Sequence, residues 1–370
     1  MNMNETKKNK PSFKLPVFAW VFFGILAFSL VVYVISLLSP EFSDFFNTYP
    51  AAAIRAVLAW VTYIFPFSFA EVLIILLPAI LIFIGILAYK KFCKTWRSAI
   101  VFTVSLISAV SLFFSSFILA FGCGYHGSTL DKKLGLNKLP VAVEELEDTA
   151  LWLAEEVNLL SHGITFVDGG FSEMPYTLSV MNKKLMDAYD KVCDKYSFIQ
   201  RLYSRVKPVM LSEAMSYTHI TGVYTYFTGE ANINVNFPDY TIPYTAAHEL
   251  AHQRGISRED EANFVAFLVC AESDDPYIRY SGYLNLYEYV ASALYSSKDA
   301  YKRVYSTLLS PVIGEMRAYS AFFNKYKDST AGKVSEKVND TFLQVQGTVG
   351  TKSYGMVVDL AVAYRKNQIS

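Results

Sequence analysis

A chain of 370 residues with 33 basic and 33 acidic side chains has no formal net charge, which excludes the strongly basic class of polyanion-binding proteins. It is 53% hydrophobic and only 18% charged, with positive mean hydropathy, too apolar for an ordinary soluble protein. Membrane segments are therefore expected, and with no basic stripe or known binding motif in the remainder, nucleic acid is not an expected partner.

Residues 16–38 carry no charge and are long enough to cross a hydrocarbon core of ~30 Å, which predicts a first transmembrane helix. A signal peptide is the competing reading, but the apolar run is long for one and lacks a small-x-small cleavage site before Pro40, so a retained anchor is expected. Residues 51–65 are apolar but short and contain Arg55, which suits an interfacial or re-entrant helix. Residues 72–89, with Glu71 at the mouth and Pro78 inside, and residues 98–121 read as second and third spans.

Lys7, Lys8, Lys10 and Lys14 precede the first span, and Lys90, Lys91, Lys94 and Arg97 fill the loop between the second and third. The intervening loop has Glu41, Asp44 and Glu71 against Arg55 alone. The positive-inside rule then predicts a cytoplasmic amino terminus, a multi-pass protein of the cell membrane, and everything after Phe121 outside the cytoplasm. This divides the chain into a membrane domain, residues 1–125, and an extracytoplasmic domain, residues 126–370.

Cys93, Cys123, Cys193 and Cys270 form no metal-ligand spacing, and a disulfide from Cys193 to Cys123 or Cys270 stays open. Beyond the glycine-rich exit at 122–127, Pro140 is expected at a first helical position. Helical periodicity follows over 141–160 and 177–198, with a loop containing Gly169 and Gly170 between. The stretch 206–237 turns β-prone, with short strands expected over 217–221, 223–227 and 231–237. Helical patterns return at 277–295, 297–327, 334–345 and 354–365.

The chemistry concentrates in Thr245-Ala246-Ala247-His248-Glu249-Leu250-Ala251-His252-Gln253-Arg254-Gly255. On a helix His248 and His252 project from one face, one turn apart, where two imidazoles can share a zinc ion. Glu249 lies beside them, within reach of a water on that zinc. Gly255 suits a left-handed helix end, and Ser257 is expected to cap a second helix that begins with Glu259, Asp260 and Glu261.

Glu259-x-x-Ala262-Asn263 resembles the segment on the second active-site helix of gluzincin peptidases. That resemblance implies Glu259 as third zinc ligand and Asn263 as the residue holding a histidine ring through its other nitrogen; Glu261 is the rival ligand. Residues 228–267 together resemble a bacterial membrane protein family of unknown function with a predicted zinc-peptidase motif. By likeness to zincins, an edge strand formed by Gly229, Glu230, Ala231 and Asn232 is expected to pair with substrate backbone.

The fold expected is an α-helical membrane anchor with a mainly α (α+β), zincin-like extracytoplasmic domain carrying a small β-sheet. The function expected is a membrane-anchored zinc metallopeptidase acting on peptide or protein substrates, with Glu249 as general base and the lipid bilayer as its other partner. His219, Tyr280, Tyr283, Tyr287 and Tyr289 are candidates for stabilising the oxyanion. Intramembrane proteolysis is disfavoured by the charges around the motif, and a non-catalytic zinc sensor or structural module coupled to the membrane segments is the alternative from another class.

Overall fold

The computed structural model describes residues 14–92, 94–167 and 170–369; Lys7, Lys8, Lys10, Cys93 and Gly169 lie outside the described residues. The protein is mostly helical, with one small sheet.

Among the described residues three helices are long and apolar enough to cross a membrane, α1 (Val17–Leu38), α4 (Phe69–Leu87) and α5 (Trp96–Ala120). Between the first two run α2 (Pro40–Phe46), a π-helical stretch over Asn47–Ala51, and α3 (Ala52–Tyr63). Their boundaries follow local chemistry. Ser39 accepts the Phe42 amide to cap α2, Ser68 accepts the Glu71 amide to cap α4, and Thr95 with Ser98 forms a capping box on α5. The serines of α5 bond back to their own helix, and Ser29 of α1 donates to Ser115 at 3.2 Å, a small-residue seam that lets α1 and α5 approach closely.

Arg55 of α3 is buried. Its guanidinium donates to Asn47 Oδ1 and the Asn47 carbonyl at 2.8 Å and to the Ala120 carbonyl at 3.0 Å, joining α3, the π-helical stretch and the end of α5.

The remaining chain begins with α6 (Leu130–Leu134), α7 (Val143–Ser161) and α8 (Leu178–Lys195). Pro140 precedes α7 rather than opening it; Ala142 is the N-cap, its amide bonded by Glu145 at 3.1 Å. The sheet has order β1-β3-β2, with β1 (Val206–Pro208) parallel to β3 (Glu230–Ile233) and β2 (Gly222–Thr225) antiparallel to it. Short α9 (Ser212–Ser216) lies between β1 and β2. The expected strand at 217–221 is a turn instead, closed by the Tyr217, Thr218 and His219 amides on carbonyls of α9, with His219 at φ 61°. Local β-propensity yields there to the turn that brings β2 back onto β3.

The strand carrying Gly229, Glu230, Ala231 and Asn232 is a correction to the sequence expectation. β3 is the central strand, paired on both sides and buried, so its backbone has no edge to offer a substrate; the free edge near the motif belongs to β2.

Two helices pack side by side behind the sheet, α10 (Thr241–Gln253) and α11 (Glu259–Ala271), joined by a turn with Gly255 at φ 92°. The cap of α11 is Arg258, not Ser257, whose hydroxyl instead donates to the Phe121 carbonyl at 3.0 Å. Leu250, Phe264 and Phe267 join Leu153, Met181 and Leu284 in one continuous core, which α7, α8 and α12 (Pro276–Leu294) close. The expected helix over 297–327 is two, α13 (Lys298–Tyr305) and α14 (Ser310–Phe323): a turn closed by the Thr307 and Leu308 amides on the Val304 and Tyr305 carbonyls ends the first, and Pro311 stands in the opening turn of the second, where its missing amide costs nothing. Then come α15 (Thr330–Val345), a 3-10 stretch over Gly350–Met356, and α16 (Val357–Ile369).

The helical domain grips the apolar helices at one end. Glu230 of β3 accepts the Phe69 and Ala70 amides at 2.9 and 2.8 Å, a carboxylate at the positive end of α4, and pairs with buried Lys207 at 2.5 Å. Glu71 accepts the Met210 and Leu211 amides, both at 2.8 Å.

Candidate metal centre

Helical spacing sets the first two donors one above the other on α10. Nε2 of His252 lies 3.0 Å from Nε2 of His248, and Oε2 of Glu259 on α11 lies 3.2 Å from the first histidine nitrogen and 3.3 Å from the second. The three residues are buried and form a group able to hold one metal ion.

The chemistry of these donors fits a cation. His252 Nδ1 donates to the Ile256 carbonyl at 2.7 Å, which leaves the lone pair on Nε2 pointing at the other two donors. Glu259 Oε2 and His248 Nδ1 are buried without a hydrogen-bond partner. A tetrahedral zinc ion ~2.0–2.1 Å from each donor would space them ~3.3 Å apart, matching the triangle.

Electrostatics describe the same crowding. Burial opposes charge on His252, yet the neighbouring Glu259 carboxylate lifts its pKa to about 9. Burial pushes Glu259 up, but the imidazoles of His252 and His248 hold it well below the usual carboxylate range. Glu249, raised to about 6 by burial against the pull of both histidines, accepts the Tyr224 amide from β2.

The rest of the motif is structural. Gln253 donates to the Gly229 carbonyl at 2.6 Å, and Arg254 donates to the Leu202 carbonyl at 2.6 Å while lying 3.9 Å over the Tyr189 ring. Asn47 donates to the Gly255 carbonyl at 2.8 Å, so the turn that carries Ile256 is fastened to the π-helical stretch between the apolar helices α1 and α4. Phe121, just past α5, meets the His252 ring edge-on at 5.7 Å.

Of the rival acids, Glu261 turns away, accepting the Leu130 amide at 2.9 Å and pairing with Arg258 at 3.0 Å. Asn263 corrects another expectation. Its amide donates to the Tyr289 hydroxyl and the Tyr354 carbonyl, both at 3.4 Å, and holds no histidine ring; the Ile256 carbonyl does that for His252.

Among the oxyanion candidates, His219 is bonded to the Tyr326 carbonyl, Tyr280 to Glu315, and Tyr283 packs against Trp152 and Phe267. Tyr287 is buried with its hydroxyl unpartnered. Tyr289 feels the charge of Glu259, and so does Tyr354, which also feels Glu249. Tyr354 was not singled out from the sequence; it stands alone in a short 3-10 stretch with no motif around it.

Cys123, Cys193 and Cys270 are free thiols.

No curated protein and no solved structure matches the chain. The family described as "Protein of unknown function (DUF3810)" matches residues 46–362, a span that includes His248, Glu249, His252 and Glu259 and everything that packs around them. By that match over most of its length, the chain belongs to the DUF3810 family.

Proposed function

We propose that the protein is a membrane-anchored, zinc-dependent metallopeptidase with a zincin-like site. The observation that carries this reading is the triangle of His248 Nε2, His252 Nε2 and Glu259 Oε2, 3.0 to 3.3 Å on a side, with a fourth ionisable group, Glu249, beside it. A purely structural site has no need of such a neighbour.

Zinc bound there supplies Lewis acidity, acidifying a water and polarising a carbonyl. The residues do the rest. His248, His252 and Glu259 would hold the ion, and the Ile256 carbonyl fixes the His252 tautomer. Glu249 takes the proton from water and returns it to the leaving amine. The Tyr224 amide steadies its carboxylate. The β2 edge is the surface on which extended peptide backbone would pair, and Tyr354 and Tyr289, which feel the charge of Glu259, are the hydroxyls that would donate to the reacting carbonyl.

For placement, the helix ends remote from the domain carry Lys14, Lys90, Lys94 and Arg97, a pattern that favours a cytoplasmic location for those ends and an extracytoplasmic one for the domain.

One observation favours the second reading, a non-catalytic metal sensor: the hydrogen bond from Asn47 to Gly255 links the turn after His252 to the membrane-side elements. The two are separated by Glu249→Gln in the purified full chain. The enzyme reading expects zinc retained at wild-type stoichiometry and cleavage of a peptide library abolished; normal cleavage by the variant would end it, and no cleavage by the zinc-loaded wild type would leave the sensor.

A further inference from the structure

Among the described residues nothing covers the outer face of α15. Val334, Val338 and Val345 on it are 58, 64 and 70% exposed, and Phe342 lies beside them. At 3.6 residues per turn the helix has three faces. Gly332, Leu343 and Gln346 are buried against the domain, Lys333, Glu336, Lys337 and Gln344 form a polar face, and the valines form the third. Valine is a poor helix former, so three of them on an open helix face contribute nothing to the helix itself and call for an apolar neighbour.

The location of this face identifies the neighbour. The Phe342 ring meets Phe117, in the last turn of α5, at 5.6 Å, so the valine face continues the apolar surface of that helix. One turn earlier on the same face of α5, Tyr226 and Phe227 in the β2–β3 turn pack on Phe113 at 5.5 and 5.2 Å, and Tyr226 also meets Phe117 at 5.1 Å. Lys333 and Lys337 flank the valines, as suits a helix whose apolar face is in acyl chains and whose cations reach anionic headgroups.

We propose that α15 lies in the surface of the bilayer, with Val334, Val338 and Val345 among the acyl chains. Asn339 on its inner side donates to the Tyr354 hydroxyl at 3.3 Å, which ties this helix to a tyrosine that feels the charge of Glu259. This rests on α1, α4 and α5 spanning the membrane, not on the chemistry of the site.

The test uses the full chain with its four cysteines replaced by alanine, carrying one spin label at Val338→Cys, Val345→Cys, Gln344→Cys or Ile82→Cys, in phosphatidylcholine–phosphatidylglycerol vesicles. Collisions with oxygen report lipid, and collisions with a nickel chelate report water. Oxygen is expected to dominate several-fold at Val338, Val345 and Ile82, and nickel at Gln344. Nickel dominating at both valines, or both reagents excluded there by a second copy or another protein, overturns the proposal while Ile82 remains in lipid. Ile82 in water overturns the membrane reading with it. A carbene-generating lipid probe on the unsubstituted chain gives the same answer without mutation: adducts on the 330–345 peptide support it, and labelling of α4 alone overturns it.

Discussion

Gly222 lies directly against Glu249: a Cβ on Gly222 would sit 2.6 Å from Oε1 and 2.7 Å from Cγ of that carboxylate. Only a residue without a side chain lets the β2 edge pass this close to α10. Gly222→Val is expected to displace either the strand or Glu249, lowering kcat/KM by about 10²-fold, as a misplacement of ~1 Å does. Zinc content is expected to stay at the wild-type level. Metal analysis alongside a peptide digest checks it, and unimpaired cleavage by the Gly222→Val variant would overturn the proposed part of the β2 edge and Glu249 in the reaction.

The proposed metal site divides the acids of α11. Glu259→Ala, His248→Ala and His252→Ala are each expected to abolish stoichiometric zinc, measured by elemental analysis after dialysis. Glu261→Gln is expected to keep zinc and to cost about 1 kcal/mol, because it weakens the bond to the Leu130 amide and the pair with Arg258. Full zinc occupancy in Glu259→Ala would refute the assignment of the third ligand.

Arg55→Leu removes the donor shared by the Asn47 side chain, the Asn47 carbonyl and the Ala120 carbonyl, leaving buried acceptors unpaired. A loss of about 3 kcal/mol is expected. Asn47 also holds Gly255, so zinc affinity is expected to fall as well. Thermal unfolding and zinc titration in detergent measure the two; unchanged stability would mean that the network is replaced by water.

Glu230→Ala leaves Lys207 buried without its carboxylate partner and removes the acceptor of the Phe69 and Ala70 amides at the start of α4, for an expected cost of about 3–5 kcal/mol. Glu230→Gln, keeping the shape, is expected to cost less. Equal Tm values for wild type and Glu230→Ala would contradict the docking of α4 on the sheet.

Half-buried Glu288 offers a pH readout away from the metal centre. Burial pushes its pKa up to about 7, opposed by the Tyr240 hydroxyl and reinforced by the charge of Glu315. The folded chain therefore binds a proton more tightly than the unfolded one. Stability is fully present below the unfolded value near 4.5 and declines as pH rises through about 7. With partial exposure discounted, the decline amounts to about 1–2 kcal/mol. Glu288→Gln is expected to raise Tm at pH 8 and leave it nearly unchanged at pH 4.5; a variant equally stabilised at both would disprove the shift.

Much of this protein follows from local pattern. A run of apolar residues long enough for a bilayer makes a helix wherever it falls, and α1, α4 and α5 begin and end within a few residues of where composition puts them. His248 and His252 meet because four residues make about one turn. Gly255 reverses the chain because only glycine enters φ 92° without strain. These outcomes need nothing beyond near neighbours in the chain.

Tertiary packing decided the rest. Glu259 and Glu261 are two residues apart, so the rotation of α11 about its axis determines which faces the histidines, and that rotation is set by the core residues Phe264 and Phe267. Strand order is equally non-local: β3 is central because β1, over twenty residues earlier, pairs with its far side. The partners of Asn263 and the position of Tyr354 depend on segments 26 to 91 residues away. Periodicity in a sequence records which face of an element is apolar, but not which distant surface it meets.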